Sequence, residues 1–382
     1  MAADKQILQF NGVIDIELFK LARADGWNEW RKNEAKNLND IVHSRIAKLQ
    51  NPKDCSKAPV LICNLTNPYG FASGVHDVLW CFVKAYKEQR RLVLITAHWH
   101  YAPGGWTTLF QPLSDTCSDE NITAPDKNSQ WPGDNNNRAR WLLRTLPKDL
   151  GPRILRLHEN PLAWWYGQFL KYLMRPNHQL NNALNRVFQD LNFTKGVLGI
   201  HVRRTDKVGT EAIEHHLVEY MKHVEEHFQG TELLSEQSVE RRVYIATDDP
   251  RVIQECSAEV ASKLETRYSN SSLWSLVIDI LALSKSDFIV CTLSSGICRL
   301  AYELKVATDE SFVINPNQII SLDIPHHYAW VLPASRKAMY NHKSKSPKEM
   351  AFQKGDILVY KDEYCTVNAA LKGKTTNGLT YY

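Results

Sequence analysis

Apolar residues recur every three or four positions within residues 13–50, which is the spacing of an amphipathic helix. The clearest stripe comprises Leu38, Ile41, Val42, Ile46 and Leu49. Two interpretations fit this stripe equally well: a helical stem that also forms a homodimer, or a helix packed on the main body of the chain. Neither interpretation gives the segment any chemistry of its own.

Short apolar runs replace this pattern from Pro59 onward. The runs PVLICNL and RLVLITA flank FASGVHDVLWCFVKAY, which has helical spacing, so residues 59–97 predict a strand, a helix and a second strand. Residues 118–150 are polar and rich in turn formers, which predicts a loop or lid as far as about Arg138. The aromatic cluster between Trp164 and Leu170 predicts a helix that packs the core.

Strand-like and helix-like runs alternate most regularly across residues 196–315. Strands are predicted at GVLGIHV, RRVYIAT, SDFIVCT and SFVI, with helices between them. This alternation indicates an α/β protein with a parallel sheet and right-handed crossovers, as in Rossmann-like domains. After Pro347, the runs QKGDILVYKDEYCTV and GLTYY predict a small β unit.

Composition and sequence motifs limit the classes of function that the chain can have. Lys and Arg number 46 and Asp and Glu 42, so the net charge of +4 gives no electrostatic argument for a nucleic acid or membrane partner. The sequence has no G-x-G-x-x-G, complete P-loop, C-x-x-C, H-E-x-x-H or D-x-D motif. We therefore expect no cofactor and no metal, so that arginines and backbone amides must bind any phosphate.

Polar segments directly follow three of the predicted strands, at residues 201–211, 247–250 and 292–296. The carboxyl ends of parallel strands meet at one edge of a sheet, so these segments should converge on one crevice. The candidate residues in them are Arg203, Arg204, Asp206, Lys207, Glu211, Asp248, Asp249, Ser294 and Ser295.

This set of side chains suits diphosphate chemistry. Arginine forks bind phosphate oxygens, and a Ser-Ser-Gly turn at a helix start offers hydroxyls and free amides, so a departing diphosphate could be stabilised without metal. Glu211 is then the candidate base for an attacking hydroxyl. Structural alternatives stay open: the arginines could form a salt-bridge network, Asp248 or Asp249 could cap a helix, and the serines could do the same.

Asp279 lies inside the apolar run LVIDILAL, where an unpaired carboxylate would be costly. Its donors could be the two N–H groups of a guanine base or a buried arginine such as Arg299. The sequence favours neither alternative.

Five segments resemble, in order, the α1,6-fucosyltransferases that attach core fucose to N-glycans. They are NPKDCSKA (51–58), HYAPGGW (100–106), HVRRTDKVGTE (201–211), VYIATDDP (243–250) and SDFIVCTLSSGICRLAYE (286–303). The likeness extends from about Gly26 to the C-terminal β unit. It implies an inverting, metal-independent transfer of fucose from GDP-fucose to the 6-hydroxyl of the innermost N-acetylglucosamine of glycoprotein N-glycans.

The resemblance also implies an architecture. Residues 1–52 would form the helical stem and 53–190 an open α/β domain. Residues 191–335 would form a Rossmann-like domain that binds GDP-fucose in a GT-B-like arrangement, and 345–382 a short SH3-like β domain. Family members are anchored in the Golgi membrane by an N-terminal segment. This chain begins in the stem, without that anchor, so a place in the Golgi lumen is expected.

Individual roles carry over by position. Arg203 would bind the β-phosphate, supported by Arg204 and Lys207, and Glu211 with Lys207 would activate the acceptor. His201 and Asp279 would recognise guanine, and Gly70 and Tyr101 would contact the nucleotide. Ser294 and Ser295 would contact the phosphates, and Asp323 would contact the acceptor. The loops would be ordered by Asp206, Asp248 and Asp249. The implied disulfides are Cys55–Cys117, Cys63–Cys81 and Cys291–Cys298, which leave Cys256 and Cys365 without partners.

The sequence departs from the family at several positions. Pro68 replaces a turn glycine, Gly296 replaces a glutamine, and the loop before Arg267 is shortened. These departures favour a competing hypothesis, a glycan-binding or assembly protein whose transferase activity has decayed. A third hypothesis is a fucosyltransferase for a different acceptor.

Overall fold

The structure is a computed structural model of the chain. It describes residues 27–65, 70–97, 99–119, 130–131, 146–158, 160–205, 213–235, 237–255, 270–308, 318–323, 335–337, 341–343, 351–360 and 373–374.

The first sheet is parallel, with strand order β2-β1-β3. Its strands are β1 (Val60–Asn64), β2 (Arg91–Ile95) and β3 (Gln130–Trp131). The predicted unit of strand, helix and strand is confirmed, because α2 (Phe71–Lys87) connects β1 to β2. The loop predicted for residues 118–138 is wrong at β3, which pairs with Ile62 and Cys63 of β1. Two residues are too short a strand to produce an alternating pattern.

Four helices pack around this sheet: α1 (Trp27–Gln50), α3 (Gly151–Leu157), α4 (Pro161–Leu173) and α5 (His178–Asp190). Leu38, Val42 and Ile46 of α1 are buried in the same core as the sheet. The second interpretation of this helix is therefore the one that the packing supports. Because the apolar stripe is covered by the chain itself, it offers no support for a stem that dimerises.

The predicted core role of α4 is confirmed, since Trp164, Trp165 and Phe169 are all buried. Trp165 and Phe169 pack with aromatic side chains of α2, and the rings of Phe169 and Phe82 meet edge to face at 5.2 Å. Such pairs add to the stabilisation that burial of their apolar area provides.

The second sheet is also parallel, with order β5-β4-β6-β7, as the alternating pattern predicts. Its elements are β4 (Val197–Val202), α6 (Leu217–Ser235), β5 (Arg242–Thr247), α7 (Pro250–Glu255), α8 (Asn270–Lys285), β6 (Phe288–Cys291), α9 (Gly296–Thr308) and β7 (Ile319–Ser321). The strand predicted at SFVI lies outside the described residues. Sequence patterns did not predict β7, which is only three residues long.

A small antiparallel sheet follows, with order β10-β9-β8. Its strands are β8 (Ser335–Lys337), β9 (Ile357–Tyr360) and β10 (Gly373–Lys374). This confirms a small β unit, and β8 lies upstream of the boundary predicted at residue 345. The SH3-like assignment and the division into four domains stay predictions. No helix in the described ranges is both long enough and apolar enough to cross a bilayer.

The three disulfides implied by the family resemblance are present. Cys63–Cys81 joins β1 to α2, and Cys291–Cys298 joins the end of β6 to the first turns of α9, with Cα atoms 6.2 Å apart. Cross-links of this kind restrict the unfolded chain and thereby stabilise the folded one. The last disulfide also ties together both ends of the turn that contains Ser294 and Ser295.

Helix α9 belongs to the second sheet but packs closely on α4 of the first. A methyl group added to Gly167 of α4 would collide with the carbonyl oxygen of Glu303 and would lie 2.7 Å from Cβ of Ala307. Only glycine permits this approach, because no side chain fits between the two helices.

We predict that Gly167→Ala lowers the free energy of unfolding by about 2 kcal/mol, because the methyl group meets backbone rather than a flexible side chain. Gly230→Ala is the matched control, since Gly230 lies in α6 with nothing within 4 Å of an added methyl group. That control should stabilise the protein by about 0.5–1 kcal/mol through helix propensity. Urea unfolding measures both, and equal effects would contradict the proposed clash.

Candidate functional site

The carboxyl ends of β4, β5, β6 and β7 form one edge of the second sheet, and the sequence predicted this convergence for the segments that follow β4, β5 and β6. Hydrogen bonds join the segments that follow these strands in two pairs. The segment after β4 bonds to the one after β5, and the segment after β6 bonds to the one after β7.

Asp248 holds the segment after β4 in place. Its carboxylate accepts hydrogen bonds from the Arg203 guanidinium, the Thr205 hydroxyl and the backbone N–H of Arg204, the last at 3.0 Å. The loop-ordering role implied for Asp248 fits this geometry. The Arg203 side chain is 18% exposed, so a ligand at this edge can reach its guanidinium from solvent.

Arg204 makes a different set of contacts. Its guanidinium forms a bidentate ion pair with Glu255 of α7 and donates to the carbonyl oxygen of His215 at 3.0 Å. The side chain is only 3% exposed. These contacts favour the salt-bridge alternative for Arg204, which anchors its loop, over a direct contact with phosphate.

Asp249 caps helix α7, as the sequence suggested for one of the two aspartates. Its side chain accepts a hydrogen bond from the backbone N–H of Arg251 at 3.0 Å, and Pro250 occupies the first helical position. The Arg251 guanidinium also contacts this carboxylate and lowers its pKa.

The turn between β6 and α9 contains Ser294 and Ser295. Arg299 N–H donates to the carbonyl oxygen of Ser295 at 3.1 Å, so Ser295 is the N-cap residue directly before α9. Asp323 accepts from the Ser294 backbone N–H at 3.3 Å and from the Ser321 hydroxyl at 2.8 Å. The residue predicted to contact the acceptor therefore lies directly beside the predicted phosphate-binding turn.

The N-termini of two helices meet at this turn. A methyl group added to Gly296, the first residue of α9, would lie 2.7 Å from Cβ of Ala72 in the first turn of α2. The residue that caps α2 is Gly70, which has no side chain to accept from the first amides. Both helix ends carry the positive end of a macrodipole, and together they form a site suited to an anion.

Tyr101 lies at the same place. Its ring packs edge to face against Phe71, the first residue of α2, with centroids 5.9 Å apart. Gly70 and Tyr101, both predicted to contact the nucleotide, are thus neighbours at the start of α2 and close to the serine turn of the second sheet.

His201, near the end of β4, is buried and carries an unsatisfied ring nitrogen. Among the described residues no hydrogen-bond partner reaches its Nδ1 atom. Burial lowers the pKa of His201 to about 4, with the Asp248 carboxylate partly opposing this shift. A neutral imidazole with an unpaired buried nitrogen is the kind of group that a bound ligand satisfies.

Asp279 of α8 accepts a hydrogen bond from the Tyr244 hydroxyl at 2.5 Å. Neither alternative drawn from the sequence, guanine or Arg299, included this tyrosine. Burial raises the pKa of Asp279 to about 6, and the hydrogen bond from Tyr244 partly offsets that rise.

Three predicted catalytic residues, Asp206, Lys207 and Glu211, lie outside the described residues, and their roles stay predictions. Within the described part of the chain, no group of three or more His, Cys, Asp or Glu side chains is placed to hold a metal ion.

Residues 3–314 match the family model of the alpha-(1,6)-fucosyltransferase N- and catalytic domains. The chain belongs to this family. It is 35% identical over 387 residues to an alpha-(1,6)-fucosyltransferase of Drosophila melanogaster, a match that covers 94% of this chain and 61% of the relative. An alpha-(1,6)-fucosyltransferase of Caenorhabditis elegans is 32% identical over 368 residues, covering 88% and 65% respectively. The chain therefore spans less than two thirds of the length of these relatives.

Among solved structures, NodZ alpha-1,6-fucosyltransferase soaked with GDP-fucose is similar with a TM-score of 0.39 and 14% identity. That similarity covers 65% of this chain and 93% of NodZ.

The raised pKa of Asp279 predicts a pH-dependent contribution to the stability of this fucosyltransferase family member. The folded carboxyl group binds its proton more tightly than the unfolded chain does, so its stabilising effect is present below pH 4 and is lost as the pH rises through 6. Asp279→Asn cannot ionise. Its stability relative to the parent protein should therefore improve by about 2 kcal/mol between pH 4 and pH 8.

Urea unfolding at both pH values measures this difference in the free energy of unfolding between Asp279→Asn and the parent protein. Asp190→Asn, at an exposed position at the end of α5, is the control for loss of a carboxylate that lies outside the core. A constant difference for Asp279→Asn would contradict the prediction.

Proposed function

We propose that this chain transfers fucose from GDP-fucose to the 6-hydroxyl of the innermost N-acetylglucosamine of N-glycans, with inversion, without metal, and in the Golgi lumen. Family membership supports the type of reaction. The observation that carries the proposal is the meeting of two helix N-termini at the sheet edge that also holds Arg203 and His201.

The helix ends suit the diphosphate of the donor. Each supplies N–H groups and a partial positive charge, and a favourable, partly buried helix end stabilises an anion by up to about 2 kcal/mol. Arg203 adds guanidinium N–H donors whose orientation is fixed by the ion pair with Asp248. When the bond from the sugar to the diphosphate breaks, negative charge builds up on GDP, and groups already oriented toward it lower the barrier.

Guanine recognition would use the two buried groups. Nδ1 of His201 has no hydrogen-bond partner among the described residues and could bond to the base, and the carboxylate of Asp279 can accept from the two N–H donors of a guanine edge. Since Asp279 must be ionised for that contact, and its pKa is raised to about 6, GDP should bind better above pH 6 than below it.

The bonds formed and broken in the transfer reaction balance without a cofactor. The acceptor oxygen attacks the anomeric carbon on the face opposite the diphosphate, the bond from that carbon to the phosphate oxygen breaks, and GDP departs. Glu211 accepts the hydroxyl proton with Lys207 beside it, Asp206 orders the loop, and Asp323 contacts the acceptor glycan; these roles rest on the family resemblance.

The first test combines GDP binding with transfer. Calorimetric titration with GDP in EDTA should show binding, and incubation with GDP-fucose and a biantennary N-glycan that lacks one terminal galactose should add one deoxyhexose to the glycan mass. Glu211→Gln should bind GDP normally but transfer at least roughly a hundredfold more slowly.

Each alternative gives a different result. Binding that requires metal would contradict the proposed mechanism. Binding without turnover would favour a decayed transferase, and hydrolysis of GDP-fucose without transfer would indicate another acceptor.

The two neighbouring arginines should respond differently to substitution. Arg203→Ala should leave the fold intact and lower kcat/KM by at least roughly a hundredfold, because it removes charge stabilisation of the leaving group. Arg204→Ala should instead destabilise the protein by about 2 kcal/mol, since it removes a buried guanidinium that bonds to Glu255 and to the carbonyl oxygen of His215. Transfer rates and urea unfolding of both variants separate these effects, and an unstable Arg203→Ala would contradict the assignment.

A further inference from the structure

A buried pair of ionisable side chains connects the two sheets behind the helix ends. His76 Nε2 of α2 lies 3.0 Å from Oε2 and 3.3 Å from Oε1 of Glu303 in α9. Glu303 is fully buried and the His76 side chain is 16% exposed. The two residues are 227 positions apart in sequence, so this contact exists only because the two sheets are packed together.

The hydrogen bonds of His76 require one more proton in this pair than a neutral imidazole and an ionised carboxylate carry together. Its Nδ1 atom lies 2.7 Å from the carbonyl oxygen of Ala72, which can only accept, so Nδ1 must carry a hydrogen. The contact between Nε2 and Glu303 then needs a second hydrogen, carried either by the imidazole or by the carboxyl group. Both ring nitrogens are thereby engaged, and the ring orientation is fixed from two sides.

Each member of the pair lies within two helical turns of the N-terminal residues that are in close contact. His76 lies one turn after Ala72 in α2, and Glu303 lies two turns after Gly296 in α9. Ala72 and Gly296 are the residues in close contact at the two N-termini. The backbone of Glu303 is also held, because its carbonyl oxygen packs against Gly167 of α4.

Two positive helix ends in close contact repel one another when no anion lies between them. A buried ion pair contributes little net stability, but it fixes one geometry. We propose that His76 and Glu303 form a positioning pair that holds the N-termini of α2 and α9 at the separation that binds the donor diphosphate. The pair touches neither substrate. This inference rests on the proposed function of the same site.

The first variant replaces the pair by apolar residues, His76→Leu with Glu303→Leu, a change that buried ion pairs often tolerate without unfolding. GDP should bind at least roughly tenfold more weakly in calorimetric titration, with the KM for acceptor unchanged, because only the donor half of the site is displaced. Glu303→Gln alone should retain GDP affinity within about twofold, since its amide can donate to a neutral His76.

The control is His223→Leu with Glu226→Leu. That pair has a similar geometry, with Nδ1 of His223 3.0 Å from the Glu226 carboxylate, but it lies within α6. Its GDP affinity should equal that of the parent protein.

A second route tests directly whether GDP binding depends on the separation that the pair is proposed to hold, and it does not require the apolar pair to fold. Gly296→Ala places a methyl group against Ala72 and should weaken GDP binding by roughly tenfold, and adding Ala72→Gly should restore it. Parental GDP affinity in the folded apolar pair, or in Gly296→Ala, would overturn the inference. Failure of the parent protein to bind GDP would instead overturn the proposed function.

Discussion

The contact between Gly296 and Ala72 is the constraint on which the rest of the site depends. It brings the first turn of α9, which follows the central part of the second sheet, against the first turn of α2, which follows β1 of the first. Because parallel strands and their crossover helices place every helix N-terminus at the carboxyl edge, this one contact turns the two edges toward each other. Residues from both halves of the chain then share one site.

Negative side chains hold this positive site together. Asp248 accepts from Arg203 and from the backbone of its loop, and Asp323 accepts from the Ser294 amide. Each carboxylate satisfies donors that would otherwise be left unpaired at a partly buried edge. Under the proposed function, a diphosphate at this edge would contact Arg203 and the helix ends without rebuilding the loops, which is the preorganisation that leaving-group stabilisation needs.

The sequence predicted the parts of this arrangement that depend on local pattern. The strand runs indicated the parallel second sheet and the strand, helix and strand unit of the first, and residues after strand ends indicated the clusters at Arg203, Asp248 and Ser294. Contacts between distant residues left no such signal. The His76–Glu303 pair joins α2 to α9, and Tyr244 reaches Asp279 from a neighbouring strand. Periodicity shows that a position is buried but not which side chain it meets.

The same limit applies to the two adjacent arginines. Both follow β4, yet the glutamate that engages Arg204 lies 51 residues away at the end of α7. Successive residues leaving a strand point to opposite sides, so one arginine enters the packing beneath the edge and the other stays near its surface.

Packing also changes the meaning of the departure at Gly296, which by sequence alone favoured loss of activity. A side chain at this position would collide with Ala72, so the glycine is what allows α2 and α9 to meet. The glycine at position 296, where the family has glutamine, therefore allows a close helix contact and does not leave a gap in the site. The chain keeps both helix ends together, along with Arg203, His201 and the disulfide that fixes the serine turn, and these are the features that the proposed donor binding would use.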